Sequence, residues 1–485
     1  MASVHSMRVI NSRRFRHRPL ADPTSSIRLI KVLPKRSADG LLQCQISHSI
    51  NTDKYTCLSY VWGQEHDHGG PFSILVNGKT VTVRYNLHTF LKVARSKFPK
   101  RNFWIDALCI DQLNTVERNH QVQQMGTIYA KAKEVIAWLG DEKTVEEAIP
   151  IIRFLTKFRN FPWQILDFVI LESSRRRKQK REKQLGDFQD TFDRYWSRAW
   201  ITQEITLASH VRILVRHTEW DISRVPHRHA TQVAGVFSSY RQVPFFLFWS
   251  IVRQSHEAEL PLLQLLSRYR DKQCAIERDR IFSLLAICNE GAYFEVDYNC
   301  SDRQLLREVL NVSSLSPCIC SAEVALSGID ISAMSREDLN DEYFVSFAMN
   351  PTHIIRWNSS NYSGTRQCTV CQFDMDKSWN YRNGLIFCLS FVCHEIRGHL
   401  FWEEQSPTEG DIYCIGHSST DSTPLGRIGH WVNVEIDACK ELYTISFTLS
   451  ALLKLFQGRK ETLPQPRLCG IACTQGSESS RVKFS

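Results

Sequence analysis

Apolar and polar residues in the N-terminal half of the chain follow two periods, one typical of strands and one typical of helices. Apolar residues recur every three or four positions over 86–98 and 117–132, which predicts two amphipathic helices. Short runs rich in β-branched and aromatic residues predict strands at 26–32, 41–46, 55–62, 103–110, 135–139 and 211–215. Because strands and helices alternate, we predict an α/β fold with a parallel sheet flanked by helices.

One segment of this region predicts a β-hairpin. Residues Ser73 to Val83 alternate around Asn77-Gly78. Both central residues of a type I′ turn need positive φ, and Asn-Gly satisfies that requirement better than most pairs. We therefore expect a two-stranded ribbon inserted before the first helix.

Beyond this region the pattern changes twice along the chain. Residues 216–310 are mostly helical by pattern, and strand candidates dominate from about 320 to 456. The predicted organisation is a basic flexible arm at 1–24, an α/β domain at 25–215 with a basic insertion at about 172–187, a helical extension at 216–310, a mixed α/β region at 311–475 and a flexible tail at 476–485.

The formal net charge of +9 over 485 residues is concentrated in two strips. Five arginines fall within residues 1–18, and the stretch RRRKQKREK occupies 175–183, so the rest of the chain is close to neutral. A nucleic-acid-binding domain normally spreads its basic residues over a folded face, so we do not expect nucleic acid as a partner. The strip at 175–183 is typical of a solvated loop. A nuclear localisation signal and a binding site for an anionic surface are the alternatives.

Neither a membrane span nor a secretory signal is expected from the sequence. The longest apolar run, Pro244 to Val252, is far shorter than the roughly 20 residues that cross a bilayer, and the N-terminus lacks an apolar core. We therefore expect an intracellular, cytoplasmic protein whose sixteen cysteines are reduced.

The motifs of several common sites are absent or incomplete. Cys368 and Cys371 have the spacing of zinc ligands but no second pair at a regular interval. His394-Glu395 resembles the start of HExxH, yet His399 follows one position too late to share the helical face. We expect no metal site, and no P-loop occurs.

Polar residues follow the predicted parallel strands where those strands end. Ser59 and Gly63 close the strand at 55–62, and Asp106 and Asp111 lie at the end of the next. Ligands of open α/β sheets bind outside the carboxyl ends of the strands, so these residues are the first candidates for a binding site.

Three blocks of the sequence are similar to a known family. YTCLSYVWGQ from Tyr55, FWIDALCIDQLNTVERNHQVQQMGTIYAKAKEVIAWLG from Phe103 and RYWSRAWITQEITLA from Arg194 resemble, in order and spacing, the signature blocks of the fungal heterokaryon incompatibility (HET) domain. ERDRIFSLLAI from Glu277 and VDYN from Val296 resemble the stretch that commonly follows that domain. The resemblance implies a role in self/non-self recognition and programmed cell death. It also implies an incompatible allele product or another signalling protein as partner, and self-association through the HET domain.

A more distant resemblance concerns chemistry. CLSYVWGQEHD looks like the first strand and loop of a TIR domain, and Trp200 and Glu204 in SRAWITQEI supply the TIR spacing WxxxE. Residues four apart lie on one helical face, so both side chains can enter one cleft. The resemblance implies a TIR-like (flavodoxin-like) fold and NAD as a substrate, with no cofactor. It makes Glu204 the catalytic carboxylate, with Trp200 shaping the pocket, Ser59 and Trp62 lining the cleft, and Asp106 as a contact to ribose or a structural cap. Gly63 and Asp111 are added as substrate-binding candidates because of their position at the strand ends.

Plain structural roles remain as alternatives for these residues. Glu204 fits a solvated helix position, and Ser59 fits a hydroxyl that bonds to backbone at a strand end. Asn114 or Thr115 as a helix N-cap would account for much of the polar cluster around Asp111. Cys109 between apolar neighbours fits a core residue better than a nucleophile.

Three hypotheses of function follow. The first is a cell-death effector that cleaves NAD. The second is a non-catalytic signalling module that nucleates a death-inducing assembly. The third, a zinc- or nucleic-acid-binding regulator, depends on Cys368, Cys371 and the basic strip alone.

Overall fold

The computed structural model divides the chain into two compact units, which we describe separately. The first comprises Met1–Leu260 and Asp271–Asn299, and the second Pro261–Arg270 and Cys300–Ser485. The structure describes residues 14–22, 25–50, 54–155, 175–224, 260–312, 319–326, 328–329 and 449, together with the seven C-terminal strands given below.

A nine-stranded mixed sheet forms the centre of the first unit. Its strands are β1 (Ser26–Val32), β2 (Gln43–Ile50), β3 (Thr56–Tyr60), β4 (Phe72–Val76), β5 (Lys79–Val83), β6 (Asn102–Trp104), β7 (Glu134–Trp138), β8 (Val211–Val215) and β9 (Thr218–Asp221). Their spatial order is β5-β4-β2-β1-β6-β3-β7-β8-β9.

The middle of this sheet is parallel, as predicted. Strands β6, β3, β7 and β8 pair in parallel, whereas β1 joins β6 and β9 joins β8 in antiparallel fashion. Every residue of β3 and β7 is buried, which is typical of parallel strands covered on both faces. The predicted hairpin is confirmed as β4 and β5, with positive φ at Asn77 and Gly78.

Helices flank the sheet and continue into the second unit. In chain order they are α1 (Tyr85–Lys97), α2 (Asp106–Cys109), α3 (Thr115–Lys131), α4 (Lys143–Leu155), α5 (Arg175–Trp196), α6 (Ala199–Thr206), α7 (Leu262–Arg268), α8 (Asp279–Phe282), α9 (Asp302–Val312) and α10 (Ile319–Leu326). Asn114 caps α3 by accepting a hydrogen bond from the Glu117 amide at 3.1 Å.

The strand predicted at 103–110 is wrong beyond its first residues. Strand β6 ends at Trp104, and the chain turns into the short helix α2. The Ile105 carbonyl accepts the amides of Leu108 and Cys109 at 3.0 and 2.7 Å, so local hydrogen bonds replace sheet pairing there.

The basic strip at 175–183 begins a helix, where a solvated loop was expected. Arg175 opens the long helix α5, which runs to Trp196. Lys, Arg, Gln and Glu are good helix formers, and this propensity favours a helix in a segment that hydrophobic periodicity leaves unassigned.

Part of the predicted flexible arm at 1–24 is held against the first unit. Within residues 14–22, Leu20 is buried, and the Arg18 carbonyl accepts a hydrogen bond from the buried Arg28 guanidinium at 2.6 Å. A buried guanidinium needs several acceptors, and this segment supplies one of them.

The segment predicted as a helical extension at 216–310 is shared between the two units. Strand β9 completes the sheet, and Asp271–Asn299 also belongs to the first unit. Asn119 donates to Asp297 at 2.9 Å and Gln123 accepts the Val296 amide at 2.7 Å, which attaches this segment to α3.

The second unit contains helices followed by strands, as predicted. Its strands are β10 (Val345–Met349), β11 (His353–Asn358), β12 (Leu385–Cys393), β13 (Ile396–Glu403), β14 (Tyr413–Ser418), β15 (Val432–Asp437) and β16 (Leu442–Phe447). They form two antiparallel sheets, β10-β16-β15 and β11-β12-β13-β14. Cys368, Cys371 and His394 lie outside the described residues.

In the part of the chain that the structure describes, no helix combines the length and the apolar character that a bilayer crossing requires.

Candidate functional site

A buried hydrogen-bonded chain lies at the carboxyl end of strand β3. The Ser59 hydroxyl donates to the Glu204 carboxylate of helix α6, and the Ser59 oxygen also lies 2.6 Å from the Tyr195 phenol of α5. Ser59 and Tyr195 are 1% exposed and Glu204 is 2% exposed. The structure thus brings together Ser59 and Glu204, two of the residues singled out from the sequence.

A sharp turn between two helices directs Glu204 towards the sheet. Helix α5 ends at Trp196, and α6 begins at Ala199, whose amide donates to the Gln273 carbonyl at 2.9 Å. This bond satisfies one of the amides that a helix start leaves without an intrahelical partner. Arg198, at the turn, donates to the carbonyl of Tyr60, the last residue of β3.

Trp62 and Asp106 are two further candidates from the sequence, and their side chains contact each other. The Trp62 indole donates to the Asp106 carboxylate at 2.9 Å. The Arg84 guanidinium lies 5.5 Å from the Trp62 ring centre and donates to the Gly63 carbonyl at 2.7 Å. The loop after β3 is therefore attached to Asp106 at the start of α2 and to Arg84 just before α1.

Gly63 adopts a backbone conformation that glycine accommodates best. Its φ is +73°, and a Cβ at this position would lie 3.0 Å from an Asp67 carboxylate oxygen. Gly63 shapes the loop after β3 through its backbone.

Burial controls the charge of Glu204. Removal from water raises the pKa of Glu204 to about 7, with the Arg198 guanidinium and the Ser59 hydrogen bond opposing that rise and Asp106 adding to it. Burial also raises the pKa of Asp106, against the effects of Arg198 and the Trp62 hydrogen bond. A carboxyl group with a pKa near 7 is present in both protonation states at neutral pH, which suits acid–base or charge-stabilising chemistry.

Trp200 and Glu204 have different partners although they lie one helical turn apart. The Trp200 side chain hydrogen-bonds to Asp279 at the start of α8, and the Tyr298 hydroxyl donates to the same carboxylate at 2.6 Å. Trp200 therefore attaches α6 to the segment Asp271–Asn299, while Glu204 faces β3.

Asp111 belongs to a different cluster. Its amide donates to Glu117 at 2.8 Å, and its carboxylate accepts the Leu113 amide at 3.3 Å. Glu117 in turn pairs with the buried Arg28 at 2.5 Å, which lowers the pKa of Glu117 against the effect of burial. The Asp111 carboxylate also lies 3.9 Å from the His17 ring, so Asp111 contacts the turn before α3 and the N-terminal segment.

A pocket of about 140 Å³ opens at the carboxyl ends of β3 and β7. Its lining residues are Val61, Asp67, His68, Tyr85, Asn86, Trp138, Leu139, Gly140, Asp141, Glu142, Thr191, Arg194 and Tyr195. Tyr195 is shared between this pocket and the Ser59–Glu204 chain, whereas Ser59 and Glu204 are not among the lining residues. The candidate site thus has a small outer pocket and a buried carboxyl group behind it.

Comparison with known proteins assigns this part of the chain to a family. Residues 55–204 match the family model described as heterokaryon incompatibility protein (HET). The chain contains a HET domain. The matched segment begins at Tyr55, beside β3, and ends at Glu204, so the Ser59–Glu204 hydrogen bond joins the two ends of the HET domain.

A curated relative agrees with this assignment. The chain is 30% identical over 175 residues to heterokaryon incompatibility protein 6, OR allele, of Neurospora crassa. The similarity covers 32% of this chain and 26% of the relative, so the chain spans about a quarter of the length of the relative it matches. No solved structure matches the chain.

Sequence reasoning missed two residues of this HET domain site, Tyr195 and Arg198. Both lie in the block RYWSRAW, where Tyr195 is one of several aromatic residues at helical spacing. Because aromatic residues at such spacing usually fill cores, the pattern does not distinguish a phenol that bonds to Ser59 from its neighbours.

The described residues of the HET domain offer neither a metal centre nor an activated thiol. Within the described residues, no group of three or more His, Cys, Asp or Glu side chains is arranged to hold a metal ion. Cys109 is buried, and burial raises the pKa of its thiol to about 12, which keeps it protonated at neutral pH.

Proposed function

We propose that this protein acts in heterokaryon incompatibility and that its HET domain cleaves NAD, with Glu204 as the catalytic carboxylate. The observation that carries the proposal is the Ser59–Glu204 hydrogen bond, which places a carboxyl group of perturbed pKa at the carboxyl end of a central parallel strand. Signalling partners, an incompatible allele product among them, and self-association are part of the same proposal.

The proposed reaction breaks the bond between nicotinamide and ribose. The bonding electron pair leaves with the pyridinium nitrogen, so nicotinamide departs neutral and positive charge develops on the ribose. A nearby carboxylate stabilises this oxocarbenium-like charge more strongly than it stabilises the substrate. Water then adds to the ribose and releases one proton, so that the products are nicotinamide and ADP-ribose.

The other residues of the cluster have supporting roles in this proposal. Ser59 holds the carboxylate by donating to it, and Arg198 favours its ionised form. Asp106 has the opposite effect, since a second carboxyl group raises the pKa of Glu204.

Nicotinamide release by the full-length protein tests the enzymatic part of the proposal. We expect wild-type protein, alone or crosslinked into oligomers, to release nicotinamide from NAD and Glu204→Gln to reduce the rate by a factor of about 10² or more, as expected when transition-state charge loses its stabilising group. Glu134→Gln is the matched control, because Glu134 is also a buried glutamate but begins β7 at the opposite end of the sheet. Equal rates for wild type and Glu204→Gln would remove Glu204 from the mechanism.

A non-catalytic signalling module is the second candidate, and the burial of Glu204 favours it. A side chain with 2% exposure behind a pocket of about 140 Å³ has the environment of a structural residue. Expression in a filamentous fungus, with growth as the readout, separates the two candidates. Growth arrest that Glu204→Gln leaves intact supports the module, and arrest that this variant abolishes supports the enzyme.

A further inference from the structure

We infer that Tyr195 separates the strand-end pocket from Glu204, and that its phenol occupies the place at Ser59 that a ligand hydroxyl takes when the site is filled. The inference rests on the proposed function for the identity of the ligand, a ribose-containing nucleotide. It rests on geometry alone for the position of Tyr195.

The first step of the argument is the position of Tyr195 between two environments. Tyr195 lines the pocket and is 1% exposed, and its hydroxyl reaches Ser59 at 2.6 Å. Glu204 also contacts Ser59 and does not line the pocket. Ser59 and Tyr195 therefore form the link from the carboxyl group to the pocket.

The second step concerns which atom carries which proton. A hydroxyl group has one proton to donate, and Ser59 commits its proton to the Glu204 carboxylate. When Glu204 is ionised, the Ser59 oxygen accepts at its other contact, so in that state the Tyr195 phenol donates to it. A ligand that replaces Tyr195 must likewise bring a donor, and a sugar hydroxyl meets that requirement.

The third step is the size of the pocket. Small-molecule sites usually occupy about 300 Å³ or more. The pocket holds about 140 Å³, so a nucleotide needs additional space. Rotation of Tyr195 away from Ser59 would extend the pocket towards Ser59 and its partner Glu204.

Chemical labelling of Glu204 in the full-length protein tests the position of Tyr195 without any ligand. A water-soluble carbodiimide with glycine ethyl ester modifies accessible carboxyl groups, which mass spectrometry locates after digestion. We expect Glu204 to be protected in wild type and in Tyr195→Phe, which keeps the ring, and to be labelled severalfold more in Tyr195→Ala. Tyr195→Leu replaces the alanine variant if circular dichroism shows that alanine unfolds the protein.

Tyr293→Ala is the control for this experiment, since Tyr293 is 82% exposed and its removal should leave Glu204 protected. If neither Tyr195→Ala nor Tyr195→Leu increases labelling of Glu204, while exposed carboxyl groups react as before, Tyr195 does not separate the pocket from Glu204 and the inference is wrong.

Binding of an uncleavable NAD analogue, with carbon in place of the ribose ring oxygen, tests the second part. Tyr195→Phe removes the competing phenol, so we expect binding about fivefold tighter than in wild type, the equivalent of one neutral hydrogen bond. Unchanged or weaker binding to Tyr195→Phe would show that no ligand group replaces the phenol.

The two experiments also separate this inference from the proposed function. In one outcome, labelling of Glu204 responds to the Tyr195 variants as expected while the analogue binds to neither wild type nor Tyr195→Phe. That result would support the separation of the pocket from Glu204 by Tyr195 and would contradict NAD as the substrate.

Discussion

The charge of individual residues in the HET domain depends on their burial and on their partners more than on residue type. Glu204 and Glu117 are both glutamates on helices, yet burial raises the pKa of the first while Arg28 lowers that of the second. The difference lies in the partners, because Glu117 pairs directly with a guanidinium and Glu204 meets a serine hydroxyl. Of these two glutamates, Glu204 is the one that retains a protonation equilibrium near neutral pH.

Residue Glu204 should make the stability of the protein depend on pH. Its pKa rises from an ordinary value of 4.5 to about 7 on folding, so folding favours the protonated form. This contribution is fully present below pH 4.5 and is lost as pH rises through about 7. Relative to Glu204→Gln, we expect the free energy of unfolding of wild type to fall by about 3 kcal/mol between pH 4.5 and 8.

Urea unfolding of both proteins at several pH values measures this difference. The remaining titrating groups are common to wild type and Glu204→Gln. Those that interact electrostatically with Glu204 are Cys57, Tyr60, Asp106, Tyr129, Tyr195 and Arg198. Parallel pH profiles for the two proteins would show that Glu204 titrates as it does in water.

At the scale of elements, close packing positions α6 and α3 around the site. Gly126 in α3 lies so near the turn Leu285–Ile287 that a Cβ would be 2.2 Å from the Ala286 Cβ. The added Cβ at position 126 would also lie 3.2 Å from the side chain of Leu207, just after α6. The absence of a side chain at Gly126 thus permits three segments of the first unit to meet.

Adding one methyl group at Gly126 should therefore destabilise the protein. We expect Gly126→Ala to lower the free energy of unfolding by about 1–3 kcal/mol, because overpacking outweighs the gain in helix propensity. Gly186→Ala in α5 is the matched control, since its Cβ would meet nothing within 4 Å.

For the control, helix propensity alone should stabilise Gly186→Ala by about 0.5–1 kcal/mol. Thermal unfolding followed by circular dichroism compares the two variants with wild type. A Gly126→Ala protein as stable as Gly186→Ala would contradict the close approach of α3 to this turn.

At the scale of the whole molecule, the first unit is built from two stretches of chain that are separated in sequence. Asp271–Asn299 returns to the unit after Pro261–Arg270, which belongs to the second. Asp279 then accepts hydrogen bonds from Trp200 and Tyr298, and the Arg118 guanidinium lies 4.1 Å from the Tyr298 ring centre. The returning stretch is therefore joined to the HET domain through the helix that carries Glu204.

Loss of one hydroxyl in this junction should weaken the first unit. Tyr298→Phe leaves the buried Asp279 without one of its donors, so we expect the free energy of unfolding to fall by about 1–3 kcal/mol. Tyr293→Phe should change it by less than about 0.5 kcal/mol, because the Tyr293 side chain is exposed. Equal stability of the two variants in urea would show that the Tyr298–Asp279 hydrogen bond contributes nothing to stability.

Much of the architecture was predictable because hydrophobic periodicity is a local property. The strands β1, β3, β7 and β8, the hairpin and the helices α1 and α3 follow from alternation, three-to-four spacing and the Asn-Gly turn. The errors lie at α2, where local hydrogen bonds turn an apolar run into a helix, and at the basic start of α5, where helix propensity acts without an apolar pattern.

The sequence by itself determined the order of the elements and the presence of a HET domain, since both depend on residue types at fixed spacings along the chain. Only the tertiary structure decided the partners of the site residues. Trp200 and Glu204 have equivalent positions by spacing, yet one contacts Asp279 and the other Ser59. The reason is physical: the pKa and accessibility of a side chain depend on groups that folding brings together from distant parts of the chain, and Ser59, Tyr195 and Arg198 meet Glu204 only in the folded protein.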